Sequence, residues 1–176
     1  WEAAQKLALR RILNAVHGNG HMELDARFIE AMRGVLRHGE LDAAFKELVL
    51  TLPSEAYVAE QLEVVDPQRI HTAREGIKQQ LARALHHDWE WAYERHHDSG
   101  AYSPDAVSSG RRALANLALS MLVLDAQTRH NQIWPGKALQ RFKDATNMTD
   151  RLGALAALVN AHSELATVPL ERFHAQ

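Results

Sequence analysis

The sequence predicts an all-α protein in which antiparallel helical hairpins stack as a bundle or an α-solenoid, with no β-sheet. Apolar residues recur at helical spacing in almost every window; Leu41, Phe45, Leu48 and Leu52 fall on one stripe of a helix. No window shows the alternation and β-branched enrichment of a strand. The connections are short, which places neighbouring helices antiparallel. No clean repeat of fixed period is present, so the pattern does not select a regular repeat family.

Turn and cap signals set the helix boundaries in the first half of the chain. HGNG at 17–20 and RHGE at 37–40 supply glycines where two helices end. Ser54 can cap the helix that follows it, and Asp66 stands before Pro67, a residue suited to the first helical turn. These signals predict helices at 1–16, 24–37, 41–52, 54–62 and 67–97.

Similar signals divide the second half. Ser103 precedes Pro104, Asn147 or Thr149 can cap the next-to-last helix, and Pro169 opens the last one. The predicted helices are 104–125, 136–145, 149–163 and 169–176. Together with the first five they form a single helical domain, 1–176.

The apolar stripes predict which face of each helix is buried. The longest stripe runs without interruption through the predicted helix 67–97, from Ile70 to Tyr93. The other stripes are Leu24, Phe28, Ala31, Met32 and Val35; Leu41, Ala44, Phe45, Leu48, Val49 and Leu52; Leu114, Leu117, Ala118, Met121 and Leu122; and Leu152, Leu155, Ala156 and Val159.

Composition excludes several classes of protein. A formal net charge of −2 gives no reason to expect a nucleic-acid or acidic-membrane partner. The absence of cysteine excludes disulfides, thiol catalysis and Cys-based metal sites. No apolar run is long enough to cross a membrane and no signal-peptide pattern opens the chain, so we expect a cytoplasmic protein. The chain starts at Trp1 without a Met, from which we expect an incomplete domain of a longer protein.

The stretch HHDWEWAYERHH at 86–97 is the strongest candidate for a metal site because it concentrates histidines and carboxylates. On one helix, side chains converge only at spacings of three or four. His86 or His87 could meet Glu90, but this helix alone is expected to offer two ligands where zinc needs three or four. We therefore predict that the polar residues here, including His96 and His97, form a face turned to water. Trp89 is expected in the core and Trp91 against a neighbouring segment.

Other motifs give no catalytic or cofactor-binding residue. HExxH, GxSxG, the P-loop and GxGxxG are all absent. Arg111 and Arg112, and the pair Arg141 and Lys143, are too sparse for a phosphate-binding patch, and we expect exposed helix charges. The sequence thus assigns no catalytic, no cofactor-binding and no metal-binding residue.

Three stretches carry a resemblance to a known family: TLPSEAYVAEQLEVVDPQRIHTARE at 51–75, SGRRALANLALSML at 109–122 and ATNMTDRLGALAALVN at 145–160. They resemble, in order and spacing, the C-terminal region of bacterial aminopeptidases N, which are M1-family zinc metallopeptidases. WEAAQ at 1–5 is similar to the start of a helix in the same region. The histidine-rich stretch at 86–97 has no match in this pattern.

The resemblance implies a superhelical, armadillo-like domain that packs on a catalytic domain and encloses its chamber, controlling the entry of peptides. Zinc and the HExxH and GAMEN motifs would lie in the rest of the parent enzyme, so the segment alone is expected to be inactive and without a cofactor. Its partners would be the parent's catalytic domain and, in the parent, peptide substrates. An exposed apolar patch, able to drive self-association, is expected where the catalytic domain would lie.

Two alternatives remain at this point. The first is a stand-alone α-solenoid that binds a peptide or protein in its groove. The second is a histidine-rich metal-binding protein built around 86–97, for which His86, His87, His96 and His97 are the candidate ligands.

Overall fold

The computed structural model describes residues 1–18, 21–97 and 102–175. Within these ranges the chain forms ten α-helices and one 3-10 helix, without a strand, which confirms the all-α class. Asn19 and Gly20 of the predicted turn, and Gln176 of the last predicted helix, lie outside the described residues. The helices are α1 Glu2–His17, α2 Ala26–Arg37, α3 Ala43–Leu50, α4 Glu55–Ala59, α5 Pro67–Ala84, α6 His86–His96, α7 Ala106–Thr128, α8 Ile133–Asp144, α9 Met148–Asn160 and α10 Thr167–His174, with the 3-10 helix at Glu164–Ala166.

Helix α7 is the centre of the solenoid-like stack. It packs against α3, α5, α6, α8 and α9. From Met121 to Ala126 every side chain is buried, so α7 has no solvent face in this part. A helix that is apolar all round belongs inside a protein. Burying one of its leucines contributes roughly 2 kcal/mol.

Two glycines allow close helix crossings at α7. A Cβ atom on Gly110 would lie 2.8 Å from the backbone nitrogen of Ala44 on α3. On α9, a Cβ atom on Gly153 would lie 2.6 Å from Cγ of Asn116 on α7. Both distances are below normal contact, so these two positions set how closely α3 and α9 approach the central helix.

The predicted caps are mostly confirmed. Ser54 accepts a hydrogen bond from the amide of Tyr57 at 3.2 Å, and Asp66 accepts one from Arg69 at 3.1 Å. Asn147 caps α9 through the amide of Asp150. The start of α7 differs from the prediction, because Asp105 rather than Ser103 is the cap and the helix begins after Pro104.

The predicted continuous helix at 67–97 is wrong at Leu85, where the backbone (φ −109°, ψ 22°) separates α5 from α6. The indole of Trp89 donates to the carbonyl of Leu81, which also accepts from the amide of Leu85. The indole thus shares this carbonyl with a backbone hydrogen bond that remains formed. The apolar stripe nevertheless stays buried on both sides of the break, from Ile70 to Ala92.

The predicted buried faces of α3 and α9 are partly wrong. On α9, Leu155 is buried but Leu152 and Val159 are exposed, and the buried face consists of Ala154, Leu155, Ala157 and Leu158. Small residues fit the close crossing with α7, so the alanine-rich face packs inward and larger side chains remain outside. On α3, Leu48 is exposed, and the buried residues are Lys46, Val49 and Leu50.

No helix among the described residues is both long enough and apolar enough to cross a membrane.

Candidate functional site

Helix α6 carries the histidine-rich stretch, and its first turn is tied to α2 by charge. Asp88 is buried, and its two oxygens lie 2.9 Å from Nε of Arg33 and 2.7 Å from Nε of Arg37. Each guanidinium donates a charge-assisted hydrogen bond to the carboxylate. Two such donors offset the cost of removing a carboxylate from water.

A second buried carboxylate ties α6 to α7. The side chain of Asp125 has no exposed surface, and Arg129 Nε lies 3.0 Å from its Oδ2. Nδ1 of His86 lies 2.8 Å from the same oxygen. That ring nitrogen is not aligned for a hydrogen bond, so the contact is electrostatic and is attractive when His86 carries a proton.

The structure brings together three candidate metal ligands on α6. Nitrogen atoms of His86 and His87 and an oxygen of Glu90 all lie within 4.8 Å of one another. The expectation of two converging ligands is therefore wrong, because His86 reaches Glu90 at 3.2 Å while His87 reaches it at 3.0 Å. Burial would raise the pKa of Glu90, but the hydrogen bond from His87 and the two imidazole charges lower it below its usual value.

The prediction of a face turned to water holds for only part of the stretch. The side chain of His87 is 91% exposed, and Glu94 and Arg95 are exposed as well. Asp88 is buried, and both ring nitrogens of His96 are buried without a hydrogen-bond partner. The packing of α2, α5 and α7 against α6 accounts for the difference. Trp89 in the core and Trp91 against α2 are confirmed.

A second region lies at the other end of α6. Here the α2–α3 turn, α3, the last turn of α6 and the first turns of α7 enclose a cavity of about 630 Å³. We call this the cationic pocket. Its polar and aromatic lining consists of Arg37, His38, Asp42, Lys46, Trp91, Arg95, His96 and Arg111.

The cations of this pocket surround Trp91. The guanidinium carbon of Arg37 lies 4.4 Å from the ring centroid, and Arg95 and Nζ of Lys46 each lie 5.8 Å from it. Cations over an indole face are attracted by its quadrupole. Burial lowers the pKa of Lys46, and the charge of Arg95 lowers it further.

His96 responds to the same environment. Burial, followed by the charges of Lys46, Arg111 and Arg95, lowers the pKa of His96 to about 4. The imidazole is therefore neutral at pH 7 and adds no charge to the pocket.

The three arginines that were predicted to be exposed helix charges are buried or half-buried. Arg112 is buried and donates to the carbonyl of Ser103 at 2.7 Å. Arg141 is buried and pairs with Asp150 at 2.8 Å. Arg111 is half-buried, with its Nε buried and without a hydrogen-bond partner. Lys46 was not among the residues predicted to be buried. It lies three and four residues before Val49 and Leu50, on the same buried face of α3.

An apolar stripe lies on the outer face of α9. Met148 is 57% exposed, Leu152 48% and Val159 37%. They are spaced four and seven residues apart, which places them on one side of the helix. This is the kind of unpartnered face that was expected where another domain would pack.

Known sequences match the chain over all or nearly all of its length. A family described as "Domain of unknown function (DUF3458_C) ARM repeats" matches residues 1–176. The aminopeptidase N of Caulobacter vibrioides is 32% identical over 174 residues, which are 99% of this chain and 20% of that protein. The aminopeptidase N of Escherichia coli is 34% identical over 164 residues, 92% of this chain and 18% of that protein.

A solved structure shares the fold. The aminopeptidase A of Legionella pneumophila, in complex with aspartic acid, superposes with a TM-score of 0.80 at 26% identity. The match covers 99% of this chain and 21% of that one. The chain thus spans about a fifth of the length of the relatives it matches.

Proposed function

Because the chain belongs to the DUF3458_C family of ARM-repeat domains, we propose that it is the C-terminal helical domain of an M1-type zinc aminopeptidase and encloses that enzyme's active-site chamber. The observation that carries the proposal is coverage: nearly the whole chain aligns with about a fifth of two aminopeptidases N. The larger remainder of such a protein would hold the chemistry. This domain would pack on it and control which peptides enter.

The zinc of such an enzyme does not fit the residues of this chain. HExxH places two histidines four residues apart on a helix with a glutamate directly after the first. Here His86 and His87 are adjacent, Glu90 follows three residues after His87, and no HExxH occurs in the sequence. No catalytic step is assigned to these residues.

The contribution of the helical domain would be enclosure. A rigid stack around α7 can form one wall of a chamber, limit exchange of water and restrict entry to peptides or chain ends small enough to pass. Binding energy and rate would then depend on how firmly this wall is held against the catalytic domain.

The outer face of α9 is our candidate for that contact. Met148, Leu152 and Val159 form an exposed apolar stripe. Burying such a stripe against the catalytic part of the same protein would stabilise the assembly at about 25 cal/mol per Å² of apolar surface.

The activity test compares two proteins. The 176-residue chain alone should hydrolyse no aminoacyl-arylamide with or without added zinc, whereas the longer protein that contains it should be active. Zinc-dependent turnover by the pure 176-residue chain would overturn the proposal. A gene without an HExxH upstream of the codon for Trp1 would favour a stand-alone binding module instead.

The contact test uses a matched pair of variants in the longer protein. Leu152→Glu places a charge in the stripe, and Val64→Glu does the same at an 84% exposed valine outside it. We expect Leu152→Glu to accelerate proteolytic release of the helical domain and Val64→Glu to behave as wild type. Equal release from both variants would remove α9 from the interface.

A further inference from the structure

The cationic pocket holds more positive charge than the described residues balance. Arg37 is paired with Asp88, but Lys46, Arg95 and Arg111 form no ion pair with any residue in the described ranges. The one carboxylate among the described lining residues, Asp42, accepts a hydrogen bond from the amide of Phe45 at 2.7 Å and caps α3.

Lys46 makes this imbalance costly because it is only 4% exposed. A buried ammonium without a carboxylate loses its hydration and gains little in return, here an indole face at 5.8 Å. A surface lysine with a flexible stem avoids this cost by extending into water. Lys46 instead lines the cavity.

Further polar atoms in the pocket lack partners. Both ring nitrogens of His96 and Nε of Arg111 are buried without a hydrogen bond to any part of the chain that the structure describes. Most buried donors in proteins are satisfied, and each exception calls for a reason. An acceptor-rich group inside the cavity would satisfy several of them together.

The first turns of α3 and α7 border the cavity at Ala43 and Ala106, but both helix N-termini are capped by carboxylates, Asp42 and Asp105. The positive charge of the pocket therefore comes from its side chains.

We propose that the cationic pocket binds a small organic anion carrying two or three negative charges on phosphate or carboxylate groups. Lys46 and Arg111, which have little contact with water, and the exposed Arg95 have no carboxylate partner among the described residues and favour a ligand with more than one negative charge. A volume of about 630 Å³ is in the range of small-molecule sites. The oxyanion would contact Lys46, Arg95 and Arg111, and its carbon skeleton would lie against Trp91. This site is independent of the proposed contact through α9.

The test measures thermal unfolding of the 176-residue chain with low-millimolar inorganic phosphate or citrate, against sodium chloride at equal ionic strength. At least one oxyanion should raise the melting temperature above the chloride reference. A larger shift with phosphate assigns phosphate esters, and a larger shift with citrate assigns polycarboxylates. If neither exceeds chloride, the proposal is wrong.

Variants separate binding in the pocket from general salt effects. Lys46→Met keeps the length of the side chain and removes its charge, and calorimetry should show affinity at least about tenfold weaker. Arg111→Gln should weaken binding in the same direction. Lys143→Met, an exposed lysine on α8 outside the pocket, is the matched control and should bind as wild type. Unchanged affinity in both pocket variants would overturn the assignment, whatever the thermal shifts.

Discussion

The two ends of α6 differ in whether buried charges have partners of opposite charge. At its first turn, Asp88 is paired with two arginines of α2, and Asp125 is paired with Arg129 and contacted by the ring of His86. At its last turn, the buried Lys46 faces further cations and an indole ring, without a carboxylate partner among the described residues.

This difference separates a structural role from a binding role. A balanced cluster is complete within the chain and locks α6 to α2 and α7. An unbalanced cluster costs stability, and it becomes favourable when an external group supplies the missing charge. Removing one charge is therefore expected to lower the free energy of unfolding at the balanced end and to raise it at the unbalanced end.

The largest effect is expected at the balanced end. Asp125→Ala leaves Arg129 and His86 without their carboxylate; because Arg129 is half-exposed, the cost is that of one charged hydrogen bond, about 2 kcal/mol. Urea unfolding measures the loss. Asp144→Ala, at an exposed aspartate that accepts from Gln140, is the control and should change the free energy of unfolding by less than about 0.5 kcal/mol. Similar losses in the two variants would contradict the structural role of Asp125.

At the unbalanced end we expect the opposite sign. Lys46→Met removes a buried, unpaired ammonium and keeps its packing volume, so without added anion the free energy of unfolding should rise by about 1 kcal/mol. Urea unfolding in chloride buffer checks this, with Lys143→Met as the exposed counterpart. A clear loss of stability in Lys46→Met would mean that Lys46 has a partner we have not identified.

The charge on His96 gives a pH-dependent effect on stability. Its pKa is about 4 in the folded chain, below the ordinary value of 6.5, so the unfolded chain binds a proton that the folded chain does not. Stability contributed by neutral His96 is present above pH 6.5 and is lost as pH falls towards 4. One such proton changes the free energy of unfolding by at most about 1.4 kcal/mol per pH unit. His96→Gln should flatten the pH dependence of urea unfolding in this window, and an unchanged slope would contradict the assignment.

The smallest expected change in stability concerns two histidines that are not part of α6. His130 and His162 have φ of 52° and 53°, a left-handed conformation that follows the ends of α7 and α9. Glycine adopts it without strain, so His130→Gly or His162→Gly should stabilise the chain by up to about 1 kcal/mol. His38→Gly is the control, since His38 ends α2 with φ of −60° and should gain nothing. Melting temperatures compare the three variants.

The sequence predicted the helices well because their signals are local. Ser54, Asp66 and Asn147 cap the predicted helices through their own side chains. The ends at His130 and His162 were harder to place, because these positions lack the glycine that usually marks a left-handed helix end. The break at Leu85 has neither glycine nor proline, so no local sequence signal marks it.

The candidate site was less predictable because it depends on contacts between distant segments. Lys46 and Arg111 are 65 positions apart in the sequence, and only the crossing of α3 with α7 brings both to one cavity. Asp88 and Arg33 are likewise separated by 55 positions. Periodicity shows that a residue shares a face with its helical neighbours, but not which other helix covers that face.

NMR titration of the His96 ring tests most directly whether an external anion binds in the cationic pocket and balances its positive charge. In chloride buffer the ring should titrate with a midpoint of about 4. With saturating phosphate or citrate, a bound anion would stabilise the imidazolium, so the midpoint should move upward towards the ordinary value of 6.5. Lys46→Met should lose this response to the anion. A midpoint that does not move under either anion would contradict the account.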